Sequence, residues 1–349
     1  MKADTISSLV SREIMRTANA RNQTSLADTL KEFSTGRHAD VGKALGGRIG
    51  GVLDMRHIVG DLSGLESTNA VVEQRMKYLQ AGLVVMRNLG QDFSETTLAI
   101  HKSGADRALI VADAKARMAT LTDVLRSSTN GVYAFSGLNV SAPPIDDYLS
   151  EPPSPARTAV IATFTAAFGF PPDDPQAVDI TPAQMTAYMD GPFAALFEEP
   201  QWSANFSQAT DEVMRDRISH HEEIDTSATA NDAGIRKLFF ALTLAIDGGA
   251  QNLRSDTLDV MASRIANVAS EAGHSIVTTE SRVGVAQERL AQANERIAIE
   301  KQALEGRIGE LEGVDSYKVA DRLSLLMTRI ESSYAITARM QQLTLLNYL

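Results

Sequence analysis

Cysteine is absent from the 349 residues, which excludes disulfides, thiolate metal sites and a cysteine nucleophile together. Basic residues are in deficit. Lys and Arg number 33 against 44 Asp and Glu, for a formal net charge of -11. They form no stripe of the kind that a phosphate backbone requires, so no nucleic-acid partner is expected. The acidic balance serves solubility. Long apolar runs are also missing. The longest, residues 160–170, falls short of the ~18 residues of a membrane span and is interrupted by threonines and Gly169. At the start, Asp4, Thr5, Ser7 and Ser8 spoil any secretory core. Proline is scarce over most of the chain, since all 11 lie between Pro143 and Pro200. Such confinement marks an insert, spanning about 139–229, in an otherwise proline-free helical scaffold.

The scaffold has a clear periodicity. Ile276, Val283, Leu290, Ile297, Leu304 and Leu311 recur every seventh residue, a seam that must lie against another helix. Over about 36 residues at ~1.5 Å each, this predicts a rod of roughly 54 Å. A partner rod lies near the start of the chain. Leu62, Leu65, Asn69, Val72, Met76, Leu79 and Leu83 alternate steps of three and four, and Met55, Ile58, Met86, Gly90 and Phe93 extend the same face. Asn69 interrupts the apolar run, and a polar residue at a seam position fixes register at some cost in stability.

Both ends of the chain read as separate amphipathic helices. Residues 1–35 carry a thin stripe of Ile6, Leu9, Val10, Ile14, Leu26, Leu30 and Phe33. About eight such side chains return ~1.5–3 kcal/mol each on burial, while ordering the segment costs ~1–2 kcal/mol per residue. The segment therefore needs a neighbour. Beyond Asp315-Ser316, which can cap a new helix, the tail stripe is Val319, Leu323, Leu326, Ile330, Tyr334, Met340, Leu343, Leu346 and Tyr348. Apolar residues that run to the chain's last positions call for burial between subunits. Glycines crowd residues 36–51 and recur at 306, 309 and 313. These are expected to interrupt the helices and form two joints at matching heights, Gly36 lying about as far from the start as Gly313 from the end.

Between the rods a helix is expected near 106–129, followed by an Asn130-Gly131 turn into a short strand at 132–135. In the insert, helices are expected near 156–168 and 183–197, and strands near 201–207 and 220–227. His220-His221-Glu222-Glu223 brings metal-ligating residue types together, but adjacent histidines on a strand point to opposite faces and cannot share one ion. A glycine-rich phosphate cradle requires a preceding strand, and helix precedes Gly36. No nucleophile, acid pair or cofactor motif stands out. Catalytic, metal and cofactor sites are therefore all expected to be absent, and the chain is expected not to be an enzyme.

Residues 331–349, from Glu331-Ser332-Ser333-Tyr334 to Leu345-Leu346-Asn347-Tyr348-Leu349, closely resemble the ending of the hook-filament junction proteins (hook-associated protein 3, FlgL type) of the flagellin superfamily. The stretch Leu121 to Gly137, with Asn130-Gly131-Val132-Tyr133-Ala134-Phe135, resembles that family's entry into its outer domain. Ser34-Thr35-Gly36-Arg37 resembles its turn after the first helix. The family's Asp-Asp-Pro after this turn is replaced by Arg37-His38-Ala39-Asp40-Val41-Gly42. The insert itself resembles nothing identifiable.

The resemblance implies a mainly α fold: an elongated flagellin-like helical bundle or coiled coil formed by both chain ends, with a small α+β outer domain inserted. Residues 1–40 with 314–349 would be terminal helices of an inner tube, disordered in the monomer. Residues 41–138 with 230–313 would form the rod bundle, and 139–229 the outer domain. The seam would be intramolecular. Ile6, Leu9, Val10, Ile14, Leu323, Leu326, Ile330, Tyr334, Met340, Leu343, Leu346 and Tyr348 would form the subunit interface. The implied partners are hook-associated protein 1, flagellin, further copies in a ring, and an export chaperone of FlgN type at the C-terminal helix. The implied place is extracellular, at the hook-filament junction, after type III export. A filament flagellin, or a flagellin-like protein with a ligand-binding or enzymatic insert, would share much of this pattern.

Overall fold

The structure, a computed structural model, describes residues 2–103, 107–129 and 131–346. Within these it describes the backbone alone for 2–9, 11, 12, 103 and 340–346. The chain forms two compact units, residues 65–296 and residues 1–64 with 297–349. Four long or central helices dominate: α1 (Lys2–Thr35), α3 (Ile49–Ser103), α9 (Ser255–Glu312) and α10 (Ser316–Leu346), with a short α2 (Val41–Leu45) after the first.

In the unit of residues 65–296, α3 and α9 are joined by α4 (Ala108–Leu125) and α8 (Ala233–Asp247). Val72, Met76, Leu79, Leu83, Met86 and Phe93 of α3 are buried, as are Ile276, Val283 and Leu290 of α9, while Leu65 is half-buried. α8 buries most of its side chains all round, as a central helix does. Gly90 permits one close approach, since a Cβ there would lie 2.7 Å from the Ala269 carbonyl oxygen. Asn69 is fully buried on the seam. Its amide nitrogen donates to Asn294 Oδ1 at 2.7 Å and to the Ile218 carbonyl at 2.9 Å.

α4 ends at Leu125 rather than near 129, and a two-residue hairpin follows. β1 (Ser128–Thr129) pairs antiparallel with β2 (Val132–Tyr133), and Gly131 takes φ +79°. In the insert, α5 (Pro155–Phe168) starts at a Ser154 cap with proline in its first turn and stops at Gly169, φ +87°. α6 (Pro182–Tyr188) opens on a Thr181–Gln184 capping box. It then loosens through Met189–Phe193 and Ala194–Phe197, because Gly191 and Pro192 cannot continue a regular helix.

Two expected strands differ. Residues 201–207 contain a helix, α7 (Gln201–Asn205). Trp202 and Phe206 stand four residues apart, on one side of a helix, and their rings stack at 5.0 Å, a contact that a strand would not allow. The 220–227 strand is β4 (Glu222–Asp225), paired with β3 (Arg215–Ser219), and His220 and His221 sit on the turn between them. β3 is hard to read in sequence because two arginines and an aspartate fill it. Asp216 is nevertheless held by Arg75 and Thr226.

The insert shares one core with the helices. Phe193 meets Phe240 at 4.8 Å, and Trp202 meets Phe239 at 5.5 Å. Asp247 is buried there, accepting from Tyr148 Oη at 2.8 Å and Arg157 Nε at 3.2 Å. Burial, followed by the adjacent Asp247 carboxylate, pushes the Tyr148 phenol well above its ordinary pKa.

In the other unit, a small cluster of Leu45, Val52 and Ile308 is packed by Val41, Ile49, Met55, Val59 and Leu311. Leu62 and Ile297 are buried, whereas Leu304 and Leu311 are half-buried. Ile58, placed on the seam by its spacing, is exposed, and Val59 packs in its stead. Steps of three and four drift relative to 3.6 residues per turn, so one position has slipped out of the face. The glycines at 306 and 309 do not interrupt α9, which runs unbroken to Glu312, and Gly50 and Gly51 lie inside α3.

Candidate assembly surface

α1 and α10 lie side by side. The face that α1 turns to its neighbour is thin and mixed. Thr29 is buried, and Met15, Asn19, Asn22 and Leu26 are half-buried. α10 answers with Val319 and Leu326, both buried, and with half-buried Leu323 and Ile330. Polar contacts join the two. Gln23 Nε2 donates to Tyr334 Oη at 2.8 Å, Ser333 donates to Asn19, and Arg322 reaches Glu32 at 3.4 Å.

The apolar residues left over face solvent. Val10, Ile14, Leu30 and Phe33 on α1 are exposed, as are Leu325, Met327, Tyr334 and Ile336 on α10. Ile14 is 63% and Leu325 68% exposed, values that cannot reflect a finished interior. Of the interface residues named from sequence, Val10, Ile14 and Tyr334 thus lie open, whereas Leu323, Leu326 and Ile330 are engaged within the chain. The side chains of Ile6, Leu9, Met340, Leu343 and Leu346, and all of Tyr348, lie outside the described residues. Leu325 and Ile336 lie on a side of α10 away from the stripe, and Met327 lies at its edge beside Tyr334, so the stripe's spacing does not single them out.

An elbow links the terminal pair to the ends of α3 and α9. Gly36 takes φ +67°, and Arg37 bridges Gly313 in antiparallel fashion. The Val314 amide donates to the Gly36 carbonyl at 3.0 Å, and the His38 amide to the Glu312 carbonyl at 2.9 Å. The Glu312 side chain is 1% exposed and accepts from Arg56 at 2.8 Å on both oxygens, with Arg37 at 3.4 Å. Asp315 then caps α10 through the amides of Tyr317 and Lys318. Two polypeptide crossings are thereby pinned at one height.

Among the described residues no group of three His, Asp or Glu is placed to hold a metal, and no helix is long and apolar enough to cross a membrane.

The profile of the bacterial flagellin N-terminal helical region matches residues 6–140, and that of the C-terminal helical region matches residues 266–349. No curated protein matches the chain. A solved structure described as a flagellar hook-associated protein from Vibrio parahaemolyticus is similar over 82% of this chain and 96% of its own, at 9% identity and a TM-score of 0.39. The two helical regions together cover more than half of the sequence and include the terminal pair, the elbow and most of both rods. The chain belongs to the flagellin superfamily, whose members are extracellular structural subunits of the bacterial flagellum.

Proposed function

We propose that the chain is a non-enzymatic junction subunit, joining the hook, through hook-associated protein 1, to the flagellin filament. The observation that carries its assembly role is the set of large apolar side chains left exposed on α1 and α10. A chain with a net charge of -11 gains nothing in solubility from them, and burying each against a neighbour returns ~1.5–3 kcal/mol. The assembly contacts are Val10, Ile14 and Tyr334, with Ile6, Leu9, Met340, Leu343, Leu346 and Tyr348 continuing them toward the ends. Leu323, Leu326 and Ile330 hold α10 on α1. Residues 1–40 with 314–349 act as the inner-tube part, 41–138 with 230–313 as the rod, and 139–229 as the outward insert. The junction position, rather than a place along the filament, is supported by the resemblance of residues 331–349 to the junction proteins. On the same ground, copies form a ring, the subunit leaves the cell by flagellar type III export, and a FlgN-type chaperone holds the C-terminal helix beforehand.

The test is to mix the purified chain with flagellin and with hook-associated protein 1, separately and together, and to image the products. Assembly only beside those partners supports the junction role, and long filaments from this chain alone would make it a flagellin. Chaperone binding that survives deletion of residues 316–349 would refute that partner assignment.

A further inference from the structure

The β3–β4 hairpin leaves one strand edge unpaired. The Thr226 amide donates to the Met214 carbonyl at 2.8 Å, and Asp225 stands opposite Arg215. By antiparallel alternation Ile224 and Thr226 therefore direct their backbone groups at β3, whereas Glu223 and Asp225 direct theirs to the other side. Among the described residues no strand pairs there. Between β4 and α9 lies a cavity of about 490 Å³, walled by Glu223 and Asp225 on the strand and by Arg282, Val285, Ala286 and Arg289 on the helix. At one end Glu222 ties β4 to the helix, accepting from Arg289 and Arg296 at 2.9 Å each. The other charges are unequally engaged. Asp225 holds Arg215 at 2.9 Å and Glu223 meets Arg217 at 3.8 Å. Arg282 is exposed and, among the described residues, has no ion pair or hydrogen bond from its side chain. One turn along, Val285 is 62% exposed.

We propose that this groove takes an extended acidic peptide of another protein, added to β4 as a third strand. Backbone pairing with Glu223 and Asp225 supplies affinity for an extended chain, and the helix wall supplies selection. Side chains two residues apart on one face of a strand are ~6.6 Å apart, and Arg282 and Val285 stand ~4.5 Å apart along α9. The long arginine side chain takes up the difference. An aspartate or glutamate of the peptide thus meets Arg282, and an apolar residue two positions away covers Val285. The carboxylate gives Arg282 the partner that its own chain does not provide. β4 has four residues, so about four residues of peptide, ~13 Å, fill the edge. An edge walled by α9 cannot meet the same edge of a second copy, so the added strand comes from elsewhere. The proposal is independent of where the subunit sits in the flagellum.

The test uses the full-length chain and fluorescein-labelled peptides Thr-Thr-Asp-Thr-X-Thr-Thr, with X as Val, Leu or Phe, followed by fluorescence anisotropy. At least one is expected to bind, and its addition should slow hydrogen exchange at the Glu223 and Asp225 amides. Lysine in place of the peptide's aspartate should weaken binding about tenfold or more, and so should Arg282→Glu in the protein, while Arg282→Lys should retain most of it. The lysine peptide should regain affinity for the Arg282→Glu protein, a recovery that a merely structural effect would not give. Methylating the peptide's central backbone amides should also weaken binding about tenfold, because it removes the ladder bonds. The variants are checked for an unchanged unfolding temperature. No binding by any of the three peptides at millimolar concentration would overturn the proposal, as would affinity indifferent to Arg282→Glu or protection of amides only outside 222–227. Equal competition by N-acetylaspartate would overturn it too, by showing a site for small anions alone.

Discussion

Arg56 and Glu312 lie 256 positions apart, yet the guanidinium grips both carboxylate oxygens at 2.8 Å where two chain crossings meet. The carboxylate is almost fully buried, whereas Arg56 is half exposed. Geometry of this kind is specific because a planar donor fork meets two acceptors.

Glu312→Gln should therefore loosen the elbow rather than unfold the chain. The cost is expected to be ~1–2 kcal/mol, since both arginines can recover water. Hydrogen exchange should rise at residues 36–40 and 312–316. Unchanged protection there would show that the backbone bridges alone hold the elbow.

Asn69→Leu tests the seam. Replacing a lone seam asparagine with leucine usually stabilises a coiled coil, but this one also holds the Ile218 carbonyl and Asn294. A loss of ~1–3 kcal/mol in urea unfolding is expected, together with faster exchange in the β3–β4 hairpin. A gain in stability would mean that Asn69 acts on register alone.

Two glycines of the same seam helices should respond with opposite sign. Gly90→Ala drives a methyl into the Ala269 carbonyl and should cost ~1–3 kcal/mol. Gly284→Ala meets nothing within 4 Å inside a helix and should gain ~0.5–1 kcal/mol. Thermal unfolding of the pair distinguishes close packing from helix propensity.

Burial, aided by Asp247, raises the pKa of both Tyr148 and Tyr188. A raised folded-state pKa means stability that is fully present below the ordinary tyrosine value of ~10 and lost as pH climbs beyond it. The unfolding temperature should fall above about pH 10, and Tyr188→Phe should flatten part of that fall. The Tyr188 hydroxyl is buried without a partner, so at neutral pH this change should cost nothing or gain up to ~1 kcal/mol. Tyr148→Phe removes a donor to Asp247 and should cost ~1–3 kcal/mol.

Phe33→Glu should leave the monomer's unfolding free energy within ~0.5 kcal/mol of the parent, because the ring is exposed in the single chain. Incorporation into assembled flagella should nevertheless be lost. A monomer destabilised as strongly as a core variant would place Phe33 inside the fold and remove it from the assembly surface.

The sequence displays some of this directly. Apolar spacing shows both rods and most of the buried positions of α3, because a helix repeats its geometry, but in α9 it marks only Ile276, Val283, Leu290 and Ile297 and passes over buried Met261, Ile265, Ala269, Ala272 and Ile308. The confinement of proline marks the stretch of short, irregular elements between α4 and α8, and Asp315 announces its cap. The strands of the insert were less legible: Trp202 and Phe206 obey a helical spacing that short segments share by chance with other patterns, and β3 is carried by ion pairing across 141 positions, between Arg75 and Asp216.

By itself, then, the sequence determined that the long segments are helical, that proline is confined to one stretch, and that apolar stripes persist along both terminal helices. Tertiary structure alone decided which of those residues remain available. Periodicity defines a face but not its partner, so it could not separate Leu326, buried against α1, from Leu325, left in solvent one position away. Nor could it foresee the burial of Glu312. A carboxylate becomes tolerable in the interior only when folding brings Arg56 and Arg37 to it, and that encounter is a property of the assembled chain.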